Sequence, residues 1–204
     1  MSVFEMPGNP QRFNEMSQEL SSRTSLTMGG KAQVIRQSST AKNNFWLPWI
    51  WVAANKLPDL IAQKDFELGE WLKRGGMLIV YGAGDGEAIK KSIGGKLFGA
   101  LKQGAWRTVP TDHSLMRSFY LLKSLKNCSG RAWQEFTFQE RTTILTIPFD
   151  ILGGIDDLQR PDSCSSDLGK DTLVKYFVNI VMLAMTSHYK SDQVHLPDIL
   201  KRLR

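Results

Sequence analysis

DFELGEWLKRGGMLIVYGAGDGE, residues 65–87, is the stretch whose reading decides the fold. Phe66, Leu68, Trp71 and Leu72 recur among charged residues with the spacing of an amphipathic helix, for which Asp65 is a candidate N-cap. Gly75 and Gly76 end that helix, because glycine accepts the left-handed conformation that a helix C-terminus needs. Met77, Leu78, Ile79, Val80 and Tyr81 follow without a polar break, as in a strand buried on both faces. The loop Gly82-Ala83-Gly84-Asp85-Gly86 comes next, and a further helix is expected from about Glu87. Helix, strand, glycine loop, helix predicts an α/β domain with a parallel sheet. Sites in such sheets lie beyond the carboxyl ends of the strands, which draws attention to Tyr81 and Asp85.

The same logic extends in both directions. Residues 1–12 hold two prolines, a glycine and an asparagine and read as an extended N-terminal arm; residues 13–204 read as one domain. Residues 13–22 predict a short helix and 32–36 a strand. Residues 45–53 carry three of the six tryptophans, and Pro48 sets the start of a regular strand after it. Residues 57–62 open a helical region, 87–102 predict a helix interrupted at Gly94-Gly95, and 106–110 look extended. Residues 132–138 and 142–147 alternate as strands and suit a hairpin across Gln139, Glu140 and Arg141. Leu173, Tyr176, Phe177, Ile180, Val181, Ala184 and Met185 form one wide apolar face over 173–189. The segment 192–204 reads as a separate polar end with Pro197 in the first turn of a small helix.

A chain of 204 residues with 42% hydrophobic and 23% charged residues is ordinary globular material. The net charge of +6 is spread along the chain, with no recognition motif beside it, so no nucleic-acid partner is expected. No apolar run approaches the roughly 20 residues that span a bilayer, and no signal-peptide pattern opens the sequence.

Candidate chemistry is sparse. Gly82, Gly84 and Gly86 resemble a phosphate loop, but the spacing is one short of the dinucleotide pattern, and no Lys-Ser/Thr follows. Asp112-His113 offers a carboxylate and an imidazole for base or ligand chemistry, against the commoner role of a structural loop histidine. His188 and His195, with Asp192 between them, do not have a zinc spacing, and no metal or cofactor is expected. Cys128 and Cys164 sit in polar loops. Free thiols and a bridge are both open, polar surroundings favour a bridge, and a bridge would place the protein in a periplasm or cell envelope.

GGMLIVYG, PTDHSLMRSFY, RTTILTIPFD and the end VNIVMLAMTSHYKSDQVHLPDILKRLR together resemble the bacterial domain-of-unknown-function family 4159. The resemblance covers about 13–204. It implies a class I glutamine amidotransferase-like domain, a flavodoxin-like three-layer sandwich with a mainly parallel sheet. In class I amidotransferases the nucleophilic cysteine follows a Gly-Gly-led strand. That place falls at or beside Tyr81, where relatives often carry aspartate, and tyrosine is a poor amide nucleophile. No His-x-Glu pair accompanies it. The expectation is a non-catalytic binding or scaffolding module of the bacterial envelope that holds a protein partner, with Lys201, Arg202 and Arg204 part of the docking surface. The alternative is a hydrolase using Tyr81, Asp85 and His113.

Overall fold

The structure is a computed structural model that describes residues 2–3, 10–24, 33–34, 48–62, 67–82, 89–91, 93, 101, 103–152, 164 and 167–202, with backbone alone for 2–3, 10–16, 33–34 and 187–202. Among the described residues seven strands form one sheet: β1 (Ser2–Val3), β2 (Gln33–Val34), β3 (Trp49–Ala53), β4 (Met77–Tyr81), β5 (Ala105–Thr108), β6 (Gln134–Phe138) and β7 (Arg141–Ile147). Their order is β2-β1-β3-β4-β7-β6-β5, which puts β4 in the middle. Among the described residues, the helices α1 (Pro10–Arg23), α2 (Leu57–Ile61), α3 (Leu68–Lys73) and α4 (Lys170–Arg202) accompany them.

The unbroken apolar run of β4 follows from its position. Met77, Ile79 and Tyr81 face one core layer, Leu78 and Val80 the other, as the two-residue alternation of a strand requires. The first layer packs Trp49, Trp51, Leu145 and Ile147 against Leu173, Phe177, Ile180, Val181 and Ala184 of α4, and Leu20 of α1 joins it. The second packs Ile50, Val52 and Ile144 against Leu57 and Leu60 of α2 and Leu68, Trp71 and Leu72 of α3. Helices therefore cover both faces of the sheet.

The expectation of a mainly parallel, flavodoxin-like sheet is corrected: the sheet is mixed. β2, β1, β3, β4 and β7 pair in parallel, but β6 runs antiparallel to β7, and β5 antiparallel to β6. The cause is the connection between β6 and β7. Only Gln139 and Glu140 lie between them, with φ of 51° and 59°, as in a two-residue hairpin whose central residues both take positive φ. A parallel crossover needs a dozen residues or more.

Two further readings change. Ser2 and Val3, within the stretch read as an extended arm, form a strand between β2 and β3, and α1 begins at Pro10. The C-terminal end is not a separate segment, since α4 is one helix of 33 residues through Pro197. Proline there removes a main-chain hydrogen bond without stopping the helix. Asp65, Asp85, Arg204 and most of the predicted 87–102 helix lie outside the described residues.

The turn between α3 and β4 closes in the expected way, with detail the sequence does not give. Gly75, at φ 110°, donates its N–H to Leu72 O (3.1 Å), and Gly76 donates to Trp71 O (3.0 Å). These are the two bonds of a Schellman motif. Arg141 adds a third closure, its Nη2 donating to Leu72 O at 2.5 Å, a cation at the negative end of the helix. A Cβ on Gly76 would drive into the Trp71 ring. Gly76→Ala is therefore expected to cost about 3 kcal/mol. Urea unfolding checks it: the midpoint should fall sharply at unchanged slope.

Candidate functional site

The site grows from one buried carboxylate. Glu135 lies on β6 on the face opposite Phe136 and is 0% exposed. Its cross-strand neighbour on β5 is Arg107, whose Nε donates to Glu135 Oε1 at 2.7 Å. Thr142 Oγ1, on β7, donates to Oε2 at 2.6 Å. His113 Nε2 lies 3.0 Å from the same oxygen. Burial alone would raise the carboxyl pKa, but hydrogen bonds from His113, Thr142 and Arg107 hold it at about 2.

His113 is fixed from its other side as well. It caps a 3-10 turn at Ser114–Arg117, and its Nδ1 accepts the Leu115 N–H at 3.0 Å. An accepting Nδ1 carries no proton, so the proton is on Nε2, pointing at Glu135. Both ring nitrogens are engaged. The segment after the turn is held by Asn179 of α4. Its Nδ2 donates to Leu115 O (2.7 Å) and Tyr120 O (2.8 Å), while its Oδ1 accepts the Tyr120 N–H (2.7 Å). The polar residue that interrupts the apolar face of α4 is therefore a buried clamp with its bonds made.

A cleft of about 820 Å³ opens beside this network, at the amino end of β7. Arg107, Arg117 and Arg141 line it, with Asp112 and Glu140 as the exposed carboxylates and His113, Ser114 and Thr186 among the remaining walls. Arg117 Nη2 donates to Asp112 O at 2.9 Å. Gln139 and Glu140, which hold the left-handed conformations of the β6–β7 turn, form one rim.

The residues singled out from sequence do not gather here. Tyr81 ends β4, in register with Ile147 at the carboxyl end of β7. His113 meets Thr142 near the other end of β7. Five residues of strand separate the two levels, roughly 17 Å. Tyr81 is buried beside Trp51, and burial, with a smaller contribution from the Asp150 charge, pushes its hydroxyl above the ordinary tyrosine range. That makes it a weaker nucleophile still. Asp85 lies outside the described residues, as does Arg204; Lys201 and Arg202 are seen only as helical backbone. The carboxylate partner of His113 is Glu135 rather than the adjacent Asp112. A glutamate alternating with phenylalanines in a strand was the available signal. Its pairing with a histidine 22 residues earlier is set by the sheet. No group of three or more histidine, cysteine or acidic residues suited to a metal occurs among the described residues.

Cys128 and Cys164 are joined by a disulfide, with Cα atoms 5.6 Å apart. It ties the tight turn at 128–131 to the approach to α4 across 36 residues of sequence. Closing a loop of that length contributes about 4 kcal/mol.

Over residues 6–185 the chain matches the family model described as "Domain of unknown function (DUF4159)". The chain belongs to this family. No curated protein matches it. In this DUF4159 chain the match runs from before α1 to the point on α4 just past Ala184, so it includes β5, β6 and β7 and the whole Glu135 network. Among the described residues no helix is long and apolar enough to cross a membrane.

The Glu135 network makes a prediction about acid. The folded carboxyl sits at about 2 against an ordinary value of 4.5. A depressed folded pKa contributes stability that is complete above 4.5 and is lost as pH falls toward 2. Glu135→Gln should lower stability at neutral pH by roughly 3 kcal/mol and flatten the acid limb of a stability-against-pH curve. Parallel limbs for the two proteins would show that Glu135 carries no such linkage.

Proposed function

We propose that this chain is a non-catalytic binding module of the cell envelope, and that the cleft beside His113 receives an anionic group of its partner. The observation that carries the reading is the state of the two outer arginines. Arg107 spends Nε on Glu135, and Arg117 spends one Nη on a backbone carbonyl. The remaining guanidinium nitrogens of both have no other hydrogen bond among the described residues, and both side chains line the cleft. Guanidinium groups oriented in this way suit a carboxylate or phosphate. His113, with both nitrogens engaged, supports the cleft wall instead of moving protons. Tyr81 stands at the other end of β7 and is buried. The Cys128–Cys164 disulfide supports an oxidising compartment, which in a bacterium is the periplasm or cell envelope. The basic residues Lys201, Arg202 and Arg204 belong to the same reading, as charges that steer an acidic partner.

Melting curves test the cleft. Phosphate and citrate, compared with chloride at equal ionic strength, should raise the melting temperature in a saturable way. Arg117→Gln should abolish that rise while leaving the melting temperature in chloride nearly unchanged. A rise that survives Arg117→Gln, or no rise in the parent protein, contradicts the assignment.

A further inference from the structure

We propose that residues 117–123 form a membrane-docking tip that seats on an anionic phospholipid surface. The tip is Arg117-Ser118-Phe119-Tyr120-Leu121-Leu122-Lys123. Leu121 is 86% exposed and Phe119 43%, and with Met185 they are the exposed large hydrophobic residues of the described chain.

Their exposure is imposed by the backbone. Tyr120 is held on both its N–H and its C=O by Asn179. The Leu122 N–H donates to Met116 O at 2.8 Å, and the Leu122 and Met116 side chains are buried. Farther on, Tyr176 Oη donates to Ser124 O and accepts the Lys126 N–H. Leu121 lies between these anchors and faces outward. It cannot turn inward without breaking bonds to α4. A rigid mount that displays an apolar side chain is the opposite of a loop that has failed to bury one.

Charge decides what covers the tip. From His113 to Gln134 the sequence holds Arg117, Lys123, Lys126 and Arg131 and no aspartate or glutamate. Lys126 is engaged with Asp167, and Lys175 lies over the Tyr120 ring, 6.0 Å from its centroid. Arg117 and Lys123 thus flank Phe119 and Leu121 in an acid-free segment, and both are exposed. Cations flanking two projecting apolar side chains, with an aromatic ring beside them, complement a bilayer interface rich in anionic headgroups. The apolar pair enters the acyl boundary while the cations stay at headgroup level. The tip holds the protein to a surface and does not span it.

The tip shares Arg117 with the anion cleft, so its test uses Phe119, Leu121 and Lys123, which do not line the cleft. The intact, oxidised protein is sedimented with vesicles of phosphatidylcholine alone or of equal phosphatidylcholine and phosphatidylglycerol. It should pellet only with the mixed vesicles at low salt. Leu121→Ser and Phe119→Ser should each lower the partition coefficient about tenfold, and Lys123→Gln about fivefold. The phosphate-induced rise in melting temperature should be the same in all four proteins. Parent protein that stays in solution with the mixed vesicles overturns the proposal. So does equal partitioning of the parent and Leu121→Ser, which would mark the binding as unspecific attraction between charges.

Discussion

A carboxylate cannot sit in a protein interior without partners, and Glu135 is such a carboxylate. Meeting that constraint fixes four pieces of chain at once. β5 must lie beside β6 in the register that brings Arg107 opposite Glu135. β7 must present Thr142. The segment after Pro110 must bring His113 inward, and the 3-10 turn behind it must supply the Leu115 N–H that selects the imidazole tautomer. The cleft is the outer surface of this arrangement, so its shape depends on a group that is itself inaccessible.

The molecule therefore has two halves of different character. On one side of the sheet β3 and β4 are parallel and apolar on both faces, and hydrophobic burial against α2, α3 and α4 organises them. On the other side an antiparallel ribbon is organised by directional polar contacts. Arg141 belongs to both: it starts β7, lines the cleft and closes the C-terminus of α3. The candidate site has moved accordingly. It lies by the β6–β7 turn instead of at the carboxyl edge of the parallel strands, where Tyr81 is packed into the core.

The sequence was informative where a local pattern determines structure. The apolar run of β4, the Gly75-Gly76 stop and the alternation of β6 and β7 each act through near neighbours. Even the hairpin was readable, and a short gap at Gln139, Glu140 and Arg141 already implies an antiparallel pair. The error was to extend the helix–strand–loop logic of residues 65–87 to the whole sheet. The Glu135 network was not legible, because its members, Arg107, His113, Glu135 and Thr142, meet only through strand register. The continuity of α4 was missed for a related reason. Pro197 weakens a helix locally, and a local rule placed a boundary where the chain continues.

The ionisation of Glu135 holds the cleft together. A carbon-13 carboxyl titration of the folded protein, with the Glu135 resonance assigned through Glu135→Gln, measures it directly. The network of His113, Thr142 and Arg107 predicts a midpoint near 2. A midpoint at or above the ordinary 4.5 would mean that burial outweighs the hydrogen bonds, and the cleft would then lack the charged support on which its assignment depends.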